Sequence, residues 1–193
     1  MSGAAPGFDG ARTRAPDPLV VTAYRHLRVD AQAVLEAWHA PDAGQDRLRR
    51  TYLGHLAAQP DAVARAGPPA HLTASCVVLD ASGTQVLLTL HRRAGAWFQF
   101  GGHLEVGDPT LWAAARREAR EESGIDDLEP RAGPVQLDRH VLVGAFGRCR
   151  EHLDVRYAAV APPGARPRVS AESDDVRWWP VDALPVGTRG ELA

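Results

Sequence analysis

The residues able to do chemistry gather between Gly101 and Glu122. Glu118, Glu121 and Glu122 stand at i, i+3 and i+4, so a helix puts all three carboxylates on one face. Like charges at that spacing repel by roughly 0.2–0.5 kcal/mol per pair even on an exposed helix, and something must offset the repulsion. Arg117, four residues before Glu121, serves in part. A hard divalent cation such as Mg2+ serves better, because it prefers carboxylate oxygen. Alone, a Glu- and Arg-rich helix face is more often solvated surface. The upstream pair Gly101-Gly102 changes that reading, because it permits close backbone approach and aims backbone groups towards the helix start. A glycine-rich loop, a capped helix and a carboxylate triad, in that order, point to a metal–phosphate site.

Other residues are candidates with a plainer reading beside them. His91, Arg92 and Arg93 form a basic turn that could meet terminal phosphates or lie on the surface. Trp97 and Phe98 could stack on a base, although aromatics beside a core loop more often pack inside. His103 adjoins the glycines and could contact phosphate or cap the loop; hard Mg2+ argues against it as a ligand. His152, Asp154 and Arg156 alternate along a strand and share one face, either a cleft wall or solvated surface. Cys76 sits in the apolar run Ala74 to Leu79 and reads as a small buried hydrophobe. Cys149 is far away, and neither a disulfide framework nor a CxxC knuckle is present.

The elements that must position these groups are legible in outline. The spacing predicts a helix from Pro109 to Ser123, with Asp108 as its N-cap, Pro109 in its first position and Gly124 closing it. Leu111, Ala114, Ala115 and Ala119 give it an apolar stripe. Strands are expected over 72–79, 85–90, 135–143, 153–160 and 176–179, with a loop at Gly144 to Gly147 and a final helix or loop over 181–184. Residues 97–107 read as an aromatic approach and a glycine-rich loop. Ahead of these lie a flexible tail (1–16) and a helical extension (17–68). The extension holds a helix from Asp30 to Trp38, stopped by Pro41, and another over 42–57. A Gly67-Pro68-Pro69 linker leads into a domain over 69–193. Strands around one long helix, without regular alternation, indicate α+β with a mixed sheet. The extension has three open readings: a lid, a homodimer contact, or a cover for a sheet edge.

Whole-chain composition narrows the function classes. The chain has 193 residues, 45% hydrophobic and 24% charged, as expected of a packed globular protein. With 22 Lys and Arg against 24 Asp and Glu, bulk-charge binding of nucleic acid is not expected. A small phosphorylated ligand needs only a few placed cations. The N-terminus lacks the apolar core of a signal peptide and no run approaches a membrane span, so a cytoplasmic location is expected by default.

The stretch GGHLEVGDPTLWAAARREAREESGI resembles the Nudix box. Its second half fits at Arg117, Glu118, Ala119, Glu121, Glu122, Gly124 and Ile125. Its first half departs: counting from Gly102 the acidic position falls on Asp108 rather than Glu, and eight residues rather than seven then precede Arg117. Resemblance extends over about 70–187, including the closing ESDDVRWWPVDALP. It implies a Nudix-type α/β/α sandwich and hydrolysis of a diphosphate linked to a nucleoside, using Mg2+ or Mn2+. By the same resemblance Glu118, Glu121, Glu122 and the Gly101 carbonyl would hold metal. Glu118 or Glu172 would activate water, and Arg117 would orient a glutamate. His91, Arg93, Trp97 and His103 are the substrate-binding candidates. Two other classes stay open: a non-catalytic nucleotide sensor, and a prenyl diphosphate isomerase, for which neither cysteine looks like the nucleophile.

Overall fold

The computed structural model describes residues 15–142 and 148–188. Residues 1–14 of the expected tail, Val143 and the expected loop at 144–147 lie outside the described residues. Three helices come first: α1 (Pro18–Ala23), α2 (Arg25–Ala37) and α3 (Ala43–Ala58). Strands β1 (Ala70–Leu79), β2 (Gln85–His91), β3 (Ala96–Phe98) and β4 (Phe100–His103) lead to helix α4 (Leu111–Ser123). Strands β5 (Gln136–Val141), β6 (Glu151–Val160) and β7 (Ser173–Pro180) follow.

All seven strands join one mixed sheet, so the α+β class and mixed sheet are as expected. β1 runs through its middle. It pairs in parallel with β6 along its whole length, Ala70 opposite Glu151 through Leu79 opposite Val160. On its other side β1 pairs first with β4, Thr73 to Cys76 opposite His103 to Phe100, and later with β2 at Val78 and Leu79. β2 carries β7 and β3, and β5 closes the far side against β6.

Strand alternation sorts the side chains of β1 and β6 into two faces. Leu72, Ala74, Cys76 and Val78 of β1 and Leu153, Val155, Tyr157 and Ala159 of β6 form the apolar face. Helix α4 packs on β1 and β4 there. Helices α2 and α3 extend the same core with Leu27, Ala31, Leu35, Tyr52 and Leu56. The opposite face carries His71, Thr73 and Ser75 beside His152, Asp154 and Arg156. The predicted alternation of the last three is therefore present.

Several boundaries differ from expectation. Helix α2 starts at Arg25 rather than Asp30, because Leu27 and Ala31 continue the stripe of Val34, Leu35 and Trp38 backwards at helical spacing. Strand β7 begins at Ser173 because it pairs with β2 as far as His91. Asp108 does not cap α4, and Pro109 precedes the helix. Thr110 is the N-cap, its hydroxyl accepting the Ala113 N–H at 3.0 Å. Asp30 of α2 accepts the Leu111 N–H at 2.7 Å, so the extension satisfies another free donor at the start of α4. Gly124 closes α4 in the left-handed conformation, as expected (φ 67°). Among the described residues no helix is long and apolar enough to cross a membrane.

Candidate active site

Arg117 is the hub of the polar edge of α4. Its Nε and Nη2 donate to the two oxygens of Asp108, each at 2.9 Å, in a bidentate pair. Its Nη1 donates to Glu118 Oε1 at 2.9 Å and to Glu121 Oε2 at 3.3 Å, and Nη2 also reaches the His103 carbonyl at 3.1 Å. Asp108 in turn accepts the Glu105 N–H at 2.8 Å. The loop before α4 is thus pinned to the helix by one guanidinium. This is why Asp108 is unavailable as a cap: a charge-assisted fork on a buried carboxylate outcompetes a backbone N–H.

Glu122 faces the other way, into the sheet. Its Oε2 accepts the Gly101 N–H at 3.0 Å, and the side chain is buried. Gly101 and Gly102, expected in a loop, lie in β4. Their lack of a side chain is what allows that. A Cβ on Gly101 would sit 2.5 Å from Ser75 Cβ, and one on Gly102 2.7 Å from Glu118 Oε1. Both distances are inside van der Waals contact. At Gly101 the atoms met are the fixed Ser75 Cβ and Cα, so β1 closes on this strand because it is bare, while at Gly102 a side chain would displace the Glu118 carboxylate.

Burial pushes the Glu118 carboxyl up to about 7, against the pull of Arg117. Burial likewise pushes Glu122 up to about 8, against the Gly101 N–H, with Glu118, Glu172 and Glu121 adding to the rise. One guanidinium serves Asp108, Glu118 and Glu121, while the partner of Glu122 is a backbone amide. Crowded carboxylate oxygens with too little positive charge form a donor set suited to a hard divalent cation.

Beside Glu122 opens a cavity of about 160 Å³ lined by the polar face of the sheet. Thr73, Ser75 and Asp154 form one wall; His91, Phe98 and Gln99 form another, with His140 and His152 at the side. Asp154 is buried and accepts the hydroxyls of Thr73 (2.9 Å) and Ser75 (2.5 Å). The Gln99 side-chain oxygen is buried and has no partner among the described residues.

The NUDIX domain family model matches residues 69–192. The chain belongs to the Nudix family. Over 115 residues it is 33% identical to an oxidized purine nucleoside triphosphate hydrolase from Danio rerio, covering 56% of this chain and 67% of that protein. It is 34% identical over 119 residues to an octanoyltransferase from Myxococcus xanthus, covering 58% of this chain but only 31% of that longer protein. A MutT NUDIX hydrolase from Burkholderia pseudomallei shares the fold, with a TM-score of 0.51 at 24% identity, over 63% of this chain and 91% of that one. As a Nudix hydrolase, the chain acts on acid anhydrides in phosphorus-containing compounds.

Within this Nudix fold the residues singled out from sequence separate into groups. Arg117, Glu118, Glu121, Glu122 and Gly101 come together around the start of β4, with Glu122 buried, Glu118 half-buried and Glu121 exposed. Glu172 is exposed but close enough for its charge to act on Glu122. Arg92 holds its loop: the guanidinium pairs with Asp174 at 2.7 Å and donates to the Ala171 and Ser173 carbonyls, each at 2.9 Å. His91 lines the cavity, whereas Arg93 lies exposed on the turn and outside the lining. Trp97, a stacking candidate, instead packs edge-on against Trp179 at 5.3 Å, in a cluster with Val86 and Leu88. Alternation in β3 explains the exchange: Trp97 faces Leu90's side of the sheet, and Phe98, one residue on, faces the cavity. His103 is turned away from the cavity towards His71, Cys149 and His152.

Sequence reading missed Thr73, Ser75, Thr89, Gln99 and His140 as cavity residues. Thr73 and Ser75 carried a signal, being hydroxyls alternating with apolar residues in an otherwise hydrophobic strand. Thr89, Gln99 and His140 carried none. Cys76 is buried as expected, its thiol pushed up to about 12 by burial, which leaves no nucleophile for isomerase chemistry there.

Proposed function

We propose that this Nudix hydrolase is a metal-dependent pyrophosphohydrolase that cleaves the diphosphate of a small nucleoside diphosphate-linked molecule. The observation that carries this reading is the meeting of a desolvated glutamate cluster with the open cavity at Glu122. Glu118, Glu121 and Glu122, with the Gly101 carbonyl, would hold Mg2+ or Mn2+. When bound, such an ion neutralises diphosphate oxygens and lowers the pKa of a bound water. Arg117 holds Glu118 and Glu121 in place through its own anchor on Asp108. Glu172, on the loop that Arg92 ties down, orients the attacking water and takes its proton, with Glu118 as the other candidate base.

On the nucleoside side, Phe98 offers an aromatic face and Gln99 an acceptor, unpartnered among the described residues, for a ring or exocyclic N–H. At about 160 Å³ the cavity is smaller than a typical small-molecule pocket, so it takes the base or sugar while the diphosphate lies across the open glutamate edge. The purified protein, given Mg2+ or Mn2+, is tested on nucleoside triphosphates, dinucleoside polyphosphates, nucleotide sugars and capped nucleotides. Metal-dependent turnover of at least one is expected, with kcat reduced at least about 100-fold in Glu121→Gln/Glu122→Gln. Tight binding of one compound with no turnover across the panel would favour a nucleotide sensor instead.

A further inference from the structure

A second cluster of ligating side chains lies where the ends of β1, β4 and β6 meet, and the phosphate chemistry above assigns it no role. His71 at the start of β1, His103 at the end of β4, His152 at the start of β6 and Cys149 just before β6 converge on one point. A donor atom from each lies within 4.8 Å of a donor atom from every other. The ring centroids of His71, His103 and His152 are 5.0–5.4 Å apart, and Cys149 Sγ is 3.8 Å from His103 Nε2.

The decisive detail is the state of the nitrogens. His71 is fully buried, and its Nδ1 lies 3.0 Å from the Pro68 carbonyl. A carbonyl only accepts, so Nδ1 carries the proton and Nε2 presents its lone pair to the cluster. Among the described residues that Nε2 is buried without a partner, and so is Nε2 of His152. Buried imidazole nitrogens with no hydrogen bond are unfavourable unless something else binds them. A backbone carbonyl on the remote ring nitrogen is also how metal-bound histidines are usually oriented.

We propose that His71, His103, Cys149 and His152 form a tetrahedral site, one thiolate and three imidazoles, for a transition-metal ion, Zn2+ by preference. Nitrogen and thiolate donors select Zn2+ over Mg2+, and four protein ligands leave no open position, so the site is structural rather than hydrolytic. Binding releases the Cys149 thiol proton to solvent and uses the histidines in their neutral form. Tetrahedral zinc needs ligand atoms about 3.3–3.6 Å apart, so the four side chains draw in by about an ångström on loading. The ion ties the ends of β1, β4 and β6 to the segment entering β6, where Pro69 already accepts the Arg150 N–H at 2.9 Å. It thereby clamps the strand that carries Gly101 and Gly102 at its His103 end. This site adjoins the cavity through His152 but shares no ligand with the glutamate edge, so its failure would leave the hydrolase reading untouched.

The full chain is loaded with Zn2+, passed into zinc-free buffer containing Mg2+, and its metal content measured by mass spectrometry. About one zinc per chain is expected in the wild type and equally in Glu121→Gln/Glu122→Gln, with at least about tenfold weaker retention in Cys149→Ser. Zinc far below one per chain in the wild type overturns the proposal. So does zinc that Cys149→Ser keeps and the glutamate variant loses. Because a variant can fail to fold, the wild type is also loaded with Co2+ as a spectroscopic probe. A thiolate-to-cobalt charge-transfer band with tetrahedral ligand-field absorption is expected, and its absence overturns the thiolate ligand.

Discussion

Arg117 shows how much of the site depends on a residue that need not touch substrate. Its fork on Asp108 is the fixed end; its Nη1, shared between Glu118 and Glu121, is the working end. Asp108→Asn keeps the shape but turns one of the two accepting oxygens into a donor that faces the guanidinium. Apparent metal affinity is expected to fall about 10- to 100-fold in a Mn2+ titration of activity, with KM for substrate moving less. Equal kcat/KM and metal midpoint in the variant would remove Arg117–Asp108 from the machinery. The same residues set a pH dependence. Around Glu118 and Glu122 stand Arg117, Asp108, Glu121 and Glu172, and burial outweighs the one cation. Without metal the folded chain keeps protons, on Glu118 to about 7 and on Glu122 to about 8, that the unfolded chain gives up near 4.5. Folding therefore takes up protons, and these two groups make the metal-free protein less stable as pH rises from about 4.5 to about 8. Below that window both states are protonated and the effect vanishes. Saturating Mg2+ binds the charged form, so its gain in Tm is expected to be larger at about pH 8 than at about pH 6. A gain that shrinks with rising pH would contradict the assignment of these carboxylates as the metal donors.

At the scale of elements, the loop before β7 illustrates a positioning device. Arg92 brackets Glu172 by binding the carbonyls on either side of it and Asp174 beyond. Isolated surface pairs contribute little, but here one guanidinium holds three acceptors and fixes a loop. If Glu172 is the base, Arg92→Leu should lower kcat by about tenfold, less than Glu172→Gln, with KM nearly unchanged. An unaltered kcat in both variants would transfer the role to Glu118. The elements also show where sequence reading succeeds. Helix α4 was legible because its stripe at 111, 114, 115 and 119 and its triad at 118, 121 and 122 both follow the helical period. β6 was legible through the alternation of 152, 154 and 156. The start of α4 was misjudged because Asp108 and Thr110 are both good caps, and only the distant Arg117 decides between them. Gly101-Gly102 read as a loop because glycine disfavours strands; the close approach of Ser75 and Glu118 that makes it necessary is tertiary. The cluster of His71, His103, Cys149 and His152 was invisible for the same reason, its members coming from three separate segments, 71, 103 and 149–152.

At the scale of the molecule, the N-terminal helices and the sheet share one core. Leu27, Leu35, Tyr52 and Leu56 are buried against Leu72, Leu111, Leu137 and Val155, and fully burying each such side chain contributes about 1.5–3 kcal/mol. Polar contacts run across the same boundary. Gln45 bonds both the carbonyl (3.0 Å) and the N–H (2.7 Å) of Leu137, and Tyr52 donates to the Asp138 carbonyl. Asp30 and His26 hold the start of α4, His26 Nε2 lying 2.8 Å from the Asp108 carbonyl. Removing residues 1–68 would therefore expose an apolar sheet face and loosen the helix that carries the glutamates. The truncated chain is expected to bind a hydrophobic dye, lose near-UV ellipticity and fail to turn over substrate even at saturating metal. A milder change isolates the contact to the active helix. Asp30→Ala removes the acceptor for the Leu111 N–H and should cost about 1 kcal/mol, read as a drop of a few degrees in Tm, with a single cooperative transition retained. A second, earlier transition in either the wild type or Asp30→Ala would mean that the helices fold and melt apart from the sheet. A truncated chain that stayed folded and active would mean that the site is complete without them.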